Sequence, residues 1–177
     1  MAATELFPSM LLLLSFVALL YRPCSTQTDS CSVTIQIDPT GTDGNGGFNV
    51  SNNGDNQLHV YRFTSLDIAL EMVVNGSLHI QAVNDPLCIH LSPGEHVLGY
   101  SQRVIAYNVV ISGEGPQEVT VMCASGASFS EGSYDEFPLK FGNGSRVIVR
   151  RVGFAGCGRP LLFYETWNVT LENCLFR

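Results

Sequence analysis

Apolar and polar residues alternate over short stretches of the chain, and this alternation is typical of β-strands that bury one face. The first example is residues 31–38, where Val33, Ile35 and Ile37 alternate with polar neighbours. Further apolar stretches predict strands at residues 78–80, 88–91, 109–111, 119–123, 147–149 and 169–171. Turn-forming residues follow them, for example Ser92-Pro93-Gly94-Glu95 after the strand at 88–91.

One segment has helical periodicity. It spans residues 64–73, and the apolar residues that share one of its faces are Leu66, Ala69, Leu70 and Val73. Thr64 and Asp67 have the spacing of a capping box at its start, and Asn75-Gly76 ends it. Because so short a helix is marginal alone, it must cover an apolar surface.

The predicted strands recur at a nearly constant spacing. The step from Ile89 to Val109 is about 20 residues and the step from Val147 to Val169 about 22 residues, within the range of solenoid repeats. Residues 146–154 align with residues 168–176, apolar on apolar. The much longer step from Val109 to Val147 predicts a coil with an inserted loop at residues 124–138. Such a period predicts a solenoid whose coils stack about 4.8 Å apart around a shared apolar interior.

Two other architectures have comparable strands. A leucine-rich repeat has a similar period, but its regular Leu/Asn signature is absent from this sequence. A β-sandwich also has short strands, yet it would not explain the alignment of residues 146–154 with residues 168–176. The spacing therefore favours the solenoid.

The stretches at residues 89–96, 107–115, 119–123 and 168–176 resemble those of the pectin-lyase-like, right-handed parallel β-helix repeat proteins. The likeness is greatest to large extracellular members from animals, which often carry F-x-x-C-G, here at residues 154–158. It covers about residues 78–177, and the helix at 64–73 matches the helix that caps the N-terminal end of that fold. The resemblance implies an all-β, single-stranded right-handed parallel β-helix (a solenoid) with a short N-terminal capping helix.

The expected organisation has three parts: a signal peptide at 1–26, an N-terminal capping region of strand, loop and helix at 27–77, and parallel β-helix coils at 78–177. The sequence stops inside a strand-like stretch, Leu175-Phe176-Arg177, without a polar capping element. An open solenoid end exposes unpaired backbone and apolar side chains. We therefore expect the fold to be truncated there and further domains of the same polypeptide to lie beyond Arg177.

The leader contains an apolar run from Met10 to Leu20, which has the length of a signal-peptide core and is too short to span a bilayer. Cleavage after Thr26 would leave small residues at the processing site. Since the residues before the run include Glu5 and no Lys or Arg, an uncleaved anchor is the alternative. We predict no spanning helix in the mature chain and an extracellular location, secreted or at the cell surface.

Glycosylation and cysteine content agree with export. Four N-x-S/T sequons predict glycans at Asn49, Asn75, Asn143 and Asn168. The mature chain would keep five cysteines, which in an oxidising compartment pair except for one. In stacked coils we expect Cys123 to pair with Cys157, and Cys31 with Cys88, so that the capping strand is tied to the first coil. The spacing lacks C-x-x-C and a nearby His pair, so we predict no metal site and no cofactor.

The net charge of the chain narrows the classes of partner that it could bind. The net charge is −7, and charged residues make up only 14% of the chain, which argues against nucleic acid and anionic membrane. The best polar cluster is Tyr134, Asp135 and Glu136 in the inserted loop, a candidate ligand loop for sugar or calcium, with a plain solvated loop as the alternative. We find no catalytic set: the acids Glu118 and Glu172 are isolated, whereas glycoside hydrolysis needs two carboxyl groups.

Two functions remain open. The first is a non-enzymatic recognition or scaffold module of a secreted or cell-surface glycoprotein, with carbohydrate or an extracellular protein as partner. The alternative is a carbohydrate-active enzyme, a polysaccharide lyase or glycoside hydrolase of the pectin-lyase-like type. The missing catalytic set favours the first, so we expect no enzymatic activity, although fold alone does not decide function.

Overall fold

The computed structural model describes residues 31, 33–41, 47–53, 56–78, 86–99, 104–124, 137–142 and 145–177. In this part of the chain the elements are β1 (Val33–Ile37), β2 (Gly47–Asn53), β3 (Asn56–Phe63), α1 (Leu66–Val74), β4 (Leu87–Leu91), β5 (Gly94–Leu98), β6 (Val104–Ile105), β7 (Val109–Gly113), β8 (Val119–Cys123), β9 (Leu139–Phe141), β10 (Arg146–Arg150), β11 (Gly153–Ala155), β12 (Leu161–Phe163), β13 (Asn168–Glu172) and β14 (Leu175–Phe176). The described residues are mostly β, with parallel sheets and one short helix, as predicted.

The strands form three sheets. The seven-stranded sheet has the order β13-β10-β7-β4-β1-β3-β2, the four-stranded sheet β14-β11-β8-β5, and the three-stranded sheet β12-β9-β6. All neighbours are parallel except the β2–β3 hairpin. From β4 onward the chain visits the three sheets in turn and then returns to the first, so each strand lies beside the strand of the previous circuit.

The register confirms the alignment of the last two coils. Val147 pairs with Val169 and Val149 with Leu171, and Phe154 pairs with Phe176 in the four-stranded sheet. Val109 pairs with Val147, so the long step between them keeps the register, as predicted for a coil with an insertion.

The predicted step between the first two coils is wrong. Ile89 pairs with Ile111 and not with Val109. The neighbouring register partners His90 and Ser112 are 22 residues apart, and this separation is the observed step between the two coils. The reason is that β4 begins one position earlier than predicted, so three apolar residues point inward from Leu87, opposite Val109, to Leu91. Both steps without an insertion therefore have the same length.

Two further boundaries differ from the prediction. Gly94 and Glu95 belong to β5 rather than to a turn, because residues 94–98 pair with β8. The helix cap is Ser65 and not Thr64: the Ser65 hydroxyl accepts a hydrogen bond from the Ile68 amide at 3.5 Å, which satisfies one free amide of the first turn. Asp67 instead accepts from the Gly99 amide at 3.3 Å and ties α1 to the end of β5.

The core lies between the three sheets and is built from the alternate residues of each strand. The central strands of the seven-stranded sheet bury every second residue completely or nearly so, for example Ile35, Ile89 and Val147, each 0% exposed. The buried face of α1 is the predicted one, Leu66, Ala69, Leu70 and Val73. This helix lies against β1, β3, β5 and β6 and so covers one end of the apolar interior.

Candidate functional site

Parallel pairing places side chains of the seven-stranded sheet in columns on its outward side, which we call the outer face. The central column consists of Thr34, Cys88, Val110, Ile148 and Thr170. A polar column runs beside it and consists of Arg62, Gln36, His90, Ser112, Arg150 and Glu172. These residues belong to six different strands, and neighbouring strands lie about 4.8 Å apart.

The polar column contains hydrogen bonds between neighbouring strands. Arg62 Nε donates to Gln36 Oε1 at 3.1 Å, and His90 Nδ1 lies 3.4 Å from Ser112 Oγ. Such pairs hold the side chains along the column instead of letting them extend freely into solvent. These two contacts join Arg62 to Gln36 and His90 to Ser112 along the column.

A shallow pocket lies on the outer face where β7 and β10 begin. Its lining combines apolar and polar groups and consists of Pro86, Asn108, Val109, Val110, Arg146 and Ile148. Asn108 Oδ1 accepts a hydrogen bond from the Arg146 amide at 2.9 Å, which fixes the Asn108 amide group at the rim. The pocket thus has an apolar floor, Val110 and Ile148, with an amide and a guanidinium beside it.

The charge near the pocket is opposite to that of the whole chain. Arg146 and Arg150 are on the same side of β10, at either side of Ile148, which corresponds to a separation of about 13 Å along an extended strand. Arg62 adds a third positive charge to the outer face, and Glu172 is the register partner of Arg150 in β13. An acidic protein therefore carries a locally basic stripe, which favours anionic ligands.

The predicted ligand loop, Tyr134, Asp135 and Glu136, lies outside the described residues, as does the sequon at Asn143. Asn75 is the exposed C-cap of α1, and Asn168 is the exposed first residue of β13. Asn49 lies in β2, opposite Val60.

The two acids weighed as catalytic candidates do not form a pair across a groove. Glu118 directly precedes β8 of the four-stranded sheet, and Glu172 ends β13 of the seven-stranded sheet. Both are exposed. They therefore do not provide the two facing carboxyl groups that glycoside hydrolysis needs.

The cysteines are joined as Cys31–Cys88 and Cys123–Cys157, with Cα–Cα distances of 5.9 and 5.2 Å, the two pairs suggested by coil stacking. The first bond joins the segment before β1 to β4, and the second joins the end of β8 to the segment after β11. Cys174 is free and half-buried, and its thiol donates to the Val149 carbonyl at 3.4 Å. Burial raises the pKa of the Cys174 thiol.

Sequence reasoning missed the outer-face columns. Gln36, His90, Ser112 and Arg150 stand alone in their own strands, and only the register brings them together. The available signal was the period itself: once the strands are aligned at the observed step, His90 falls on Ser112 and Arg150 on Glu172.

Among the described residues, no group of three or more His, Cys, Asp and Glu side chains lies close enough to hold a metal ion.

Within the described ranges, no helix has the length and apolar character needed to cross a membrane. No known family model matches the chain, and no curated protein or solved structure matches it.

Proposed function

We propose that the chain is a non-enzymatic recognition module of a secreted or cell-surface glycoprotein, folded as a right-handed parallel β-helix of the pectin-lyase-like type. Its ligand on this proposal is an extended acidic carbohydrate that lies across the strands of the outer face. The observation that carries the proposal is the pocket on β7 and β10, which is lined by the apolar side chains of Val110 and Ile148, by Asn108 and by Arg146.

The chemistry of the pocket suits a sugar ring that bears a carboxylate or sulfate. The apolar C–H face of a sugar packs on aliphatic side chains, here the half-buried Ile148, next to the nearly buried Val110. Sugar hydroxyls find a partner in the Asn108 amide group, and an acidic substituent finds one in Arg146 or Arg150. A few polar groups placed around an apolar surface are what orient a small ligand.

The columns extend this site along the sheet. A linear polymer that crosses the strands meets a new member of the polar column at each strand, about every 4.8 Å. Gln36, His90 and Ser112 supply neutral hydrogen-bonding groups, and Arg62 lies at the far end from Arg150. The arrangement therefore fits a repeating chain better than a compact small molecule.

The disulfides support the extracellular part of the proposal, since such bonds persist in oxidising compartments. The signal peptide and the glycans at the four sequons belong to the same proposal.

Calorimetric titration with oligogalacturonate, and with a neutral oligosaccharide of equal length, tests this function. We expect the acidic oligomer to bind, and the double variant Arg146→Gln/Arg150→Gln to bind at least tenfold more weakly, because charge-assisted hydrogen bonds are lost. The control is Arg159→Gln, which removes an exposed arginine outside the outer face. Equal binding by all three proteins, or by both oligomers, would reject the proposal, and release of unsaturated products would assign the enzymatic alternative instead.

A further inference from the structure

The sequon at Asn168 lies on the outer face, in the strand next to the pocket. Asn168 is the register partner of Arg146, and the Arg146 amide donates a hydrogen bond to Asn108 Oδ1 at 2.9 Å. The three residues therefore form a further column of the outer face, beside the central one. Two members of this column, Asn108 and Arg146, line the pocket, so the glycosylation position is the next residue along the column.

The side chain of Asn168 is exposed and points away from the apolar interior. Register partners direct their side chains to the same side of a sheet, so Asn168 shares the outer face with Arg146. A residue that points outward stays accessible whichever strand lies beside β13. Thr170, which carries the hydroxyl of the sequon, is the register partner of Ile148. Both ends of the sequon therefore lie beside pocket residues of β10.

The pocket lies within reach of the first sugars of a glycan on Asn168. Because neighbouring strands are about 4.8 Å apart, the backbone of Asn168 is about 5 Å from that of Arg146 and about 10 Å from that of Asn108. This distance is comparable to the length of two linked sugar rings, and every N-linked glycan of animal cells begins with two N-acetylglucosamine residues. The core of the glycan, and not only its outer branches, can therefore cover the pocket.

The pocket has a partner for each part of N-acetylglucosamine. The half-buried Ile148 offers an aliphatic surface to the C–H face of the ring or to the acetyl methyl group. The Arg146 guanidinium can donate to the acetamide carbonyl oxygen, and the Asn108 amide group lies at the rim for the ring hydroxyls. These are the groups that would also hold an external sugar, so the attached glycan and an external oligosaccharide compete for them.

Covalent attachment gives the glycan an advantage in this competition. A ligand that is joined to its site by a short flexible link binds intramolecularly, at an effective concentration on the order of 1 mM. The link here is the side chain of Asn168, one strand away from Arg146. An external oligosaccharide with similar contacts must exceed that concentration before it displaces the glycan.

We propose that the N-linked glycan on Asn168 packs over the pocket of the outer face and excludes an external acidic carbohydrate, so that glycosylation of this sequon regulates binding. The inference rests on the proposed function, to which both the glycan and the external ligand belong. A glycan on Asn75 has no such effect, because Asn75 ends α1, which lies against β1 and β3 at the other end of the seven-stranded sheet.

Thr170 offers a matched pair of variants, since Thr170→Ser keeps the sequon and Thr170→Ala abolishes it at the same position. Both proteins are secreted from animal cells, and mass spectrometry establishes which of them carries a glycan on Asn168. Calorimetric titration with oligogalacturonate measures binding. In a second measurement without any ligand, phenylglyoxal modifies the arginines, and the rate at Arg146 is compared with that at the exposed Arg159.

We expect Thr170→Ala to bind at least about tenfold more tightly than Thr170→Ser, and its Arg146 to react several-fold faster, because the tethered competitor is gone. Asn168→Gln should behave as Thr170→Ala does, and Asn75→Gln as the unchanged chain. Equal Arg146 rates in the Thr170 pair, measurable but equal affinities, or no glycan on Asn168 would overturn the inference. Slower reaction of Arg146 in Thr170→Ser, without oligogalacturonate binding by any variant, would reject the proposed function and support the contact between glycan and pocket.

Discussion

Phe154 and Phe176 stack face to face, with an interplanar angle of 8° and ring centroids 5.1 Å apart, although a full coil of the chain separates them. Their register in β11 and β14 makes this contact a direct product of the period. The two rings differ in burial, since Phe154 is 2% exposed and Phe176 49%. The phenylalanine is thus buried in the core in one coil and half-exposed in the next.

This difference predicts unequal costs of truncation. Phe154→Ala should lower the free energy of unfolding by about 3–5 kcal/mol, because it opens a cavity in the packed interior. Phe176→Ala should cost only about 1 kcal/mol, because half of its ring already contacts solvent. Urea unfolding monitored by circular dichroism gives both values. Equal costs would mean that the two coils are packed alike, contrary to the structure.

Gly113 is predicted to be intolerant of a side chain. A Cβ at this position would lie 2.6 Å from the Arg151 carbonyl oxygen and 3.0 Å from the Val119 side chain, where the coil turns from β7 towards β8. We expect Gly113→Ala to cost about 1–3 kcal/mol through overpacking. Gly158→Ala is the matched control, since nothing lies within 4 Å of an added Cβ there. Thermal unfolding of the two variants would contradict the structure if their midpoints fell equally.

His96 should make the protein less stable in mild acid. The side chain is 2% exposed, and Nε2 lies 2.8 Å from the Ser92 carbonyl oxygen, while Nδ1 is buried without a hydrogen-bond partner in the described part of the chain. Burial lowers the pKa of His96, and the Ser92 carbonyl and the Asp38 carboxylate oppose this effect without reversing it. The imidazole is therefore neutral in the folded state at pH 7.

The free energy of unfolding should therefore decrease in mild acid. Because the pKa of His96 is lower in the folded state than its ordinary value of about 6.5, the unfolded chain binds the proton more readily. Stability then falls as the pH drops through and below 6.5, by at most about 1.4 kcal/mol per pH unit for one group. Urea unfolding between pH 5 and 7.5 measures this slope, and His96→Gln should flatten it. Asp38 does not interfere, because its pKa is lowered by hydrogen bonds from Thr40 and its titration lies below this range.

The two disulfides should contribute strongly to stability. Cys31–Cys88 joins residues that are 57 apart in sequence, and Cys123–Cys157 joins residues that are 34 apart. Because such a bond reduces the entropy of the unfolded chain, each is expected to raise the free energy of unfolding by about 4 kcal/mol. We expect the double variant Cys123→Ser/Cys157→Ser to lose much of this amount in chemical denaturation. Cys174→Ser, which removes a half-buried free thiol, should lose far less. A larger loss from Cys174→Ser than from the pair would show that the bond between Cys123 and Cys157 does not form.

Two sequons are placed for glycosylation. Asn75 and Asn168 are both exposed, the first at the end of α1 and the second at the start of β13. Protein secreted from animal cells should therefore lose one glycan with each of Asn75→Gln and Asn168→Gln, visible as stepwise mass changes before enzymatic deglycosylation. Unchanged masses would mean that these sites are not modified.

The sequence predicted those parts of the fold that have strong apolar alternation. β1, β8 and β13 stand where alternation placed them, because every second residue of each is apolar. β5 was missed since its inward residues are His96 and Leu98 while Val97 points outward, a pattern that alternation assigns to no strand. β6 and β14 are too short to show any period. Their backbone pairing with neighbouring coils determines them, and a linear pattern does not contain that information.

The candidate site was not predictable for a related reason. The sequence alone does not single out Arg146 and Arg150, because their outer-face neighbours Asn108 and Ser112 belong to the preceding coil. The shorter step predicted between the first coils misaligned His90 and Ser112. Once that step is corrected to the observed register, the polar column follows from the sequence.

The register between β7 and β10 is the same as between β10 and β13, although a much longer stretch of chain separates the first pair than the second. Most of the additional residues lie between β8 and β9, where the chain passes from one sheet to another, and they leave the pairing of both strands with their neighbours intact. The number of residues between these two strands therefore does not determine how the strands pair. This corner is the natural place to graft a foreign epitope or a reporter tag, since the stack tolerates added sequence there without any change in how its coils meet.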